Sequence, residues 1–204
     1  MRAIFINTAI NLLRKNTRYS GKTSRARFIA VYVKILLCFI SAAYSPSMQA
    51  NELSEHVLKS AFLFNFAGYT TWPDNYGDSF NLCIYGKDPF GQTIDATLEG
   101  KKVNNQLIAL HRINHINHLN QCQLVFISFS EIKNLNTILD SLKNSPVLTV
   151  ADHPHADQKG VSINMEILED KVTFTVDLDS TRKAGLRLSS QLLRFAKRIY
   201  GEGQ

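Results

Sequence analysis

Apolar residues recur at helical spacing from Leu53 to about Ala67. Leu53, Val57, Leu58, Ala61 and Phe62 fall near one face, and Phe64 and Phe66 widen it, so the spacing predicts a helix buried on most sides. Gly68 can end it, and Trp72 before Pro73 enforces extended backbone. A short apolar run over residues 80–85 then stops at Gly86. Asp88 is placed to cap a helix with Pro89 at its first position, and that helix runs to about Leu98. Two short strands, 102–104 and 106–110, flank an Asn-Asn turn, and a buried strand follows at 124–128. Ser128-Phe-Ser-Glu131 has the spacing of a capping box, with Ile132, Leu135, Ile138, Leu139 and Leu142 as the helix behind it. Pro146 breaks that helix before a strand at 147–150, and residues 152–160 are a loop by composition. Ile163, Met165 and Ile167 alternate with polar residues, as do Val172, Phe174 and Val176, which predicts a hairpin with one face on a core. The last element is a long helix over 179–200, capped by Asp179, with Ala184, Leu188, Leu192, Phe195, Ala196 and Ile199 as its apolar stripe. The alternation of strands and helices predicts an α/β single-domain sandwich: a mixed β-sheet flanked by helices, ending in that long C-terminal helix.

Charge changes the picture of the first 50 residues. The chain of 204 residues carries a net charge of +6, but residues 1–50 hold eight of the bases and no acid, leaving 15 bases against 17 acids in residues 51–204. The basic balance belongs to the leader, so a nucleic-acid role for the whole chain loses its main support. Arg25 and Arg27 precede an apolar core at residues 35–40, and small residues follow at Ser41-Ala42-Ala43. Residues 1–50 are therefore expected to be a secretory signal, cleaved near Ala43 or Ala50, with a domain at 51–204 exported to the periplasm. The run from Phe28 is interrupted by Lys34 and is shorter than the roughly 20 residues of a membrane span. Cys38 has no lipobox around it.

Removal of the leader leaves two cysteines, Cys83 and Cys122. In an exported chain they are expected to form a disulfide; two buried thiols is the alternative.

Candidate chemistry is sparse. The stretch from Gly86 to Gly91 is the one candidate for a phosphate cradle, but it lacks both the G-x-G-x-x-G spacing and a terminal Gly-Lys-Ser/Thr, and reads as a turn with a helix cap. His111, His115, His118, His153 and His155 could ligate zinc or copper. Their surroundings are poor in helix formers and carry no Glu or Cys at ligand spacing, so they read as solvated loop histidines and no metal or other cofactor is expected. Phe62, Phe64, Phe66, Tyr69 and Trp72 are better placed to pack a core than to cage a ligand. No local Ser-His-Asp or Cys-His arrangement appears, and no enzymatic activity is expected. On the expected C-terminal helix, Lys183, Arg187, Arg194 and Arg198 share roughly one side, with Arg182 and Lys197 beside them. This is either a solvated face or a surface for an acidic partner.

Several of these stretches together resemble one family. They are Lys59-Ser-Ala-Phe-Leu-Phe-Asn-Phe-Ala67 with Trp72-Pro73, Leu82-Cys-Ile-Tyr-Gly86 with Asp88-Pro-Phe-Gly91, Cys122-Gln-Leu-Val-Phe-Ile-Ser128, Pro146-Val-Leu-Thr-Val150, and Ala184-Gly-Leu-Arg-Leu-Ser-Ser-Gln-Leu-Leu193. In order and spacing, over nearly all of residues 53–200, the chain resembles the YfiR family of small bacterial periplasmic proteins. The resemblance implies an α/β sandwich, often a homodimer, that represses an inner-membrane diguanylate cyclase by binding its periplasmic part. It also implies an outer-membrane lipoprotein that sequesters the repressor, after which cyclic-di-GMP rises and biofilm forms. Some members carry a second cysteine pair in the C-terminal half; this chain has none there, so only a bridge matching Cys83–Cys122 applies. A small-ligand or metal sensor of unknown partner is the second reading.

Overall fold

The computed structural model describes residues 49–73, 77–169 and 171–201. The leader expected over residues 1–50 lies outside them, except for its last two residues, which open the first helix. That helix, α1 (Gln49–Gly68), sets Leu63, Phe66 and Ala67 fully into the core. Thr70 and Trp72 fasten its end: the Thr70 hydroxyl donates to Phe66 O (2.6 Å) and the Trp72 indole N–H to Ala67 O (3.0 Å). Strand β1 (Thr70–Thr71) follows.

Next comes β2 (Ser79–Tyr85), in which Phe80, Leu82, Cys83, Ile84 and Tyr85 are all buried. A strand covered on both faces reads as a continuous apolar run, which is why residues 80–85 look uniform in the sequence. Helix α2 (Gln92–Leu98), β3 (Lys102–Val103), β4 (Gln106–Ile113), a 3₁₀ turn (Ile116–Gln121) and β5 (Leu124–Ile127) come next. A 3₁₀ turn (Phe129–Asn134), helix α3 (Leu135–Ser141) and β6 (Leu148–Ala151) lead through the short turn Asp157–Lys159 into the hairpin β7 (Ile163–Leu168) and β8 (Lys171–Asp177). The order across the main sheet is β10-β8-β7-β6-β5-β2-β4-β3, with β10 at Arg198–Tyr200. Strands β4, β2, β5, β6 and β7 run parallel; β3 and β8 are antiparallel to their neighbours β4 and β7, and β10 lies parallel to β8. This is the mixed α/β sheet expected from the sequence.

The sheet separates two cores. Phe80, Leu82, Ile84, Leu124, Phe126, Leu148 and Val150 face α1 and α2, where Phe66 meets Phe174 edge-on at 5.0 Å and Trp72 meets Phe80 at 5.1 Å. Cys83, Tyr85, Val125 and Ile127 face α3 and the turn at Ile116–Gln121. Of the aromatics expected in the core, Phe66 and Trp72 are buried, Phe62 and Phe64 pack against the core partly exposed, and Tyr69 stays at the surface.

Three expected elements take another form. Helix α2 begins at Gln92, not Pro89, because the Asp88 carboxylate accepts the N–H groups of Phe90 (2.7 Å) and Gly91 (3.2 Å) and holds that stretch as a turn. The capping box is not made. Ser128 Oγ donates to Lys87 O instead, and the Glu131 carboxylate accepts from Ser130 and Asn134.

The long C-terminal helix is absent. Helix α4 (Leu178–Lys183) is capped by Asp177, whose side chain accepts from Ser180 N–H, and stops at Gly185. Gly185 has φ +72°, its N–H donates to Arg182 O, and Leu186 N–H reaches back to Thr181 O. This is a Schellman ending, and the left-handed residue at its centre is where glycine is favoured. Beyond it lie β9 (Arg187–Leu188), the single turn α5 (Ser190–Leu193) capped by Ser189, and β10. Strand β9 pairs antiparallel with β1 in a small second sheet.

Candidate functional site

The parallel strands occur in the spatial order β4-β2-β5-β6-β7, so the chain leaves β2 for one side and returns to the other. In an open α/β sheet the crevice at the carboxyl ends of such a pair, here β2 and β5, is where ligands ordinarily bind. Here that crevice is closed by the protein's own turns. Gly86 ends β2 with φ +91°, and a Cβ on it would lie 2.5 Å from Ser130 Oγ and 2.6 Å from Glu131 Cγ. Ser128 N–H donates to Tyr85 O, Ser128 Oγ to Lys87 O (2.6 Å), and Lys87 N–H to Ser130 Oγ (2.9 Å). Burial, and after it the Glu131 carboxylate, push the Tyr85 phenol above its ordinary pKa.

Arg112, on β4, fixes the same turn from the side. It reaches Asp88 (2.8 Å), both carboxylate oxygens of Asp95 (3.1 and 2.6 Å) and Gly91 O (3.1 Å). Hydrogen bonds from Arg112 hold the Asp95 carboxyl below the usual range, and its partners raise the guanidinium further above its own. The stretch from Gly86 to Gly91 is therefore a braced turn, with the N–H groups of Gly86, Lys87, Phe90 and Gly91 already bonded within the protein.

A buried cation stands at the end of β6. Lys59 is 7% exposed and lies between Asp152 (2.8 Å) and Glu55 (2.7 Å). Burial by itself would lower the Lys59 pKa, but the two carboxylates outweigh it and the net direction is upward. The ammonium is paired on both sides and joins α1 to the loop after β6.

The structure leaves an apolar groove open beside α1. This groove of about 390 Å³ is lined by Phe62 and Asn65 of α1 and Tyr69 just after it, Val172, Thr173 and Phe174 of β8, and Leu192 and Phe195 of the C-terminal segment. Phe195 is 74% exposed and Tyr69 37%. The expected helix would have buried Phe195. With the helix stopped at Gly185, its ring stands at the groove instead. Of the face expected to be buried, Val57 and Leu58 are exposed and Phe62 is only partly covered; the signal for the groove was Phe62, Asn65 and Tyr69 at helical spacing along α1 and into the turn after it.

The basic residues expected on one helix face are distributed over four elements. Lys183 closes α4, Arg187 lies in β9, Arg194 caps α5 and Arg198 lies in β10. All four are exposed, but there is no helix for them to share. Arg194 directly precedes Phe195, and Arg187 is paired with Thr71 just beyond Tyr69, so these two flank groove residues along the chain. Arg198 is engaged with the hydroxyl (3.2 Å) and ring of Tyr200.

Cys83 and Cys122 are joined by a disulfide with Cα atoms 6.0 Å apart, buried in the second core. The histidines do not converge. His111 bonds Asn81 Oδ1 (3.2 Å), His115 and His118 have ring centres 6.2 Å apart, and His153 stacks on Phe129. Among the described residues no group of three His, Cys, Asp or Glu could hold a metal ion, and no helix is long and apolar enough to cross a membrane.

Comparison with known proteins adds a family. A family model described as YfiR/HmsC-like matches residues 56–197. Among solved structures, the ABC domain in complex with L-Trp from Streptococcus pneumonia aligns with a TM-score of 0.51 at 7% identity. The alignment covers 69% of this chain and 60% of that one, a likeness of fold alone. A conserved domain protein from Vibrio cholerae aligns more weakly, with a TM-score of 0.45 at 3% identity over 60% of this chain and 55% of that one.

Proposed function

The chain belongs to the YfiR/HmsC-like family, and from that premise we propose that it is a periplasmic regulator of cyclic-di-GMP signalling that represses a membrane diguanylate cyclase by protein–protein contact. The observation that supports contact is the groove of Phe62, Tyr69, Leu192 and Phe195, an apolar surface beside a sheet whose usual ligand crevice is filled. Exposed aromatic side chains in a concave, polar-rimmed site are what interface anchors are made of. Arg187 and Arg194, which neighbour groove residues along the chain, favour a partner with acidic residues around its own apolar anchor, and they act mainly on association rate. On this reading the leader at 1–50 is removed on export, the domain is residues 51–204, the working form is a homodimer, and an outer-membrane lipoprotein competes for the protein.

Deleting the gene is expected to raise cellular cyclic-di-GMP, and an exported copy is expected to lower it again. Phe195→Ala should abolish repression while leaving the melting temperature nearly unchanged, since that ring is mostly in solvent. Charge reversal at Arg187 and Arg194 should slow association and reduce its salt dependence. If deletion leaves cyclic-di-GMP unaltered, the regulatory reading fails. If repression survives Phe195→Ala and the double reversal in stable, exported protein, the contact lies elsewhere.

A further inference from the structure

A second concavity lies at the opposite end of the sheet, away from the groove, and nothing in the proposed regulation uses it. It is a cleft of about 520 Å³ at the amino ends of β6 and β7, between the end of α3 and helix α4. Its size is that of a small-molecule site. One wall is apolar, from Leu139, Leu142, Val147 and Ala184. Its charged lining is unbalanced: Lys143, Lys159 and Lys183 against Asp140 alone. Lys143 is already paired with Asp140 at 2.8 Å. Lys159 and Lys183 have no carboxylate partner among the described residues.

The floor is polar and built. Ser162 is 2% exposed and Thr149 4%. Thr149 Oγ1 accepts the Ser162 N–H (2.9 Å) and donates its proton to Ser162 Oγ (3.2 Å). The Ser162 hydroxyl proton then has no acceptor among the described residues, in a side chain lining the cleft. Gly160 adds a wall without a Cβ; one built there would sit 3.6 Å from both Leu139 and Ser180, in the cleft. Ser180 Oγ is already spent as a donor to Asp177. Two ammonium groups and one buried hydroxyl are thus available as donors, with the Asn144 amide beside them. Together with an apolar wall they ask for a ligand with an anionic oxygen head and an apolar body.

We propose that the cleft bounded by Lys159, Lys183 and Ser162 is a binding site for a small amphipathic anion, a carboxylate or a phosphate ester, with its head on those three groups and its body against Leu139, Leu142 and Val147. Such a ligand ties the end of α3 to α4, two elements that meet across β6 and β7.

The test uses purified, oxidised protein and four probes: benzoate, phenyl phosphate, inorganic phosphate and neutral benzyl alcohol. Each is titrated by ¹H–¹⁵N chemical-shift mapping at fixed ionic strength. Saturable shifts confined to residues around Asn144, Lys159, Gly160 and Lys183 are expected for at least one aryl anion. A preference between benzoate and phenyl phosphate identifies the head group, and weaker binding of inorganic phosphate reports the apolar wall. Lys159→Gln with Lys183→Gln should weaken the preferred probe by about tenfold or more, the loss of charge-assisted hydrogen bonds. Lys133→Gln with Lys171→Gln, outside the cleft, should leave it unchanged. Ser162→Ala, with an unchanged melting temperature, should also weaken it. Equal binding of benzyl alcohol, shifts spread over all surface lysines, or equal losses in both lysine pairs would overturn the proposal. The readout is binding to the isolated protein, so it stands or falls separately from cyclase repression.

Discussion

Reducing the Cys83–Cys122 bridge removes a constraint on the unfolded chain while leaving the folded one nearly intact. The two residues are 39 apart in sequence. Their strands are neighbours in any case, since Leu82 pairs with Leu124 in the parallel β2–β5 ladder. On the chain-entropy account, closing a loop of that length takes roughly 13 cal/mol/K from the unfolded ensemble, or about 4 kcal/mol at room temperature. With a urea dependence near ~2 kcal/mol/M for a domain of this size, the unfolding midpoint should fall by about 2 M on reduction. Urea titration of oxidised and fully reduced protein, followed by far-UV circular dichroism, measures this directly. Reduced wild-type protein keeps both sulfurs in the core and isolates the cross-link. Cys83→Ala with Cys122→Ala should lie slightly lower still, because both sites are buried and lose packing. Midpoints of oxidised and reduced protein agreeing within about 0.3 M would refute the entropic account, since that is well under 1 kcal/mol.

Gly86→Ala should destabilise by about 2–3 kcal/mol in chemical denaturation, from a left-handed backbone and a methyl group driven against Ser130 Oγ, which cannot retreat without releasing Lys87 N–H. Asp152→Asn should cost about 3 kcal/mol, because it leaves the buried Lys59 with only Glu55, while Lys59→Met should be far milder. Because the folded-state pKa of Lys59 is raised, its stabilisation is complete below the ordinary lysine pKa near ~10.4 and is lost as pH climbs through the folded value; titrating stability from pH 8 to 12 should show the wild-type slope disappearing in Lys59→Met. Arg112→Gln should cost about 1 kcal/mol at neutral pH, its partly exposed ion pairs being screened by solvent. Asp95 is depressed, so its contribution is present above the ordinary carboxylate pKa and vanishes as pH falls through the folded value; the gap between wild type and Arg112→Gln should close in acid.

The central strands were legible because both faces of each are buried, so β2, β5 and β6 appear as short apolar runs with turn residues after them. The hairpin of β7 and β8 was legible through strict alternation. The C-terminal segment was not, because Ala184, Leu188, Leu192 and Phe195 match a helical stripe as readily as they match what forms. The deciding residue was Gly185. A single glycine costs a helix interior only about 1 kcal/mol, which a long apolar stripe can outweigh, and it is the Leu186–Thr181 and Gly185–Arg182 hydrogen bonds that make it a stop. Ser128 failed as a cap for a tertiary reason, since Lys87 O, 41 residues away, claimed its hydroxyl. The groove followed from the same misassignment: a Phe195 counted into the core could not be counted onto the surface. The cleft of Lys159 and Lys183 draws on segments that share no sequence pattern and meet only through the sheet.

The seam between the two ends of the domain bears on the order in which the chain can fold. Tyr69 O accepts from Ser189 N–H, β1 pairs with β9, and Phe174 O accepts from Lys197 N–H. Helix α1 precedes every other element of the described fold, yet the segment that completes its surroundings follows only after Gly185. Until residues beyond Gly185 arrive, the edge of β8 is unpaired and the Phe62–Phe66 side of α1 is only partly covered. Contacts this distant in sequence are slow to form and leave sticky intermediates meanwhile. The cover of α1 and the edge of β8 are thus completed only when residues beyond Gly185 are in place.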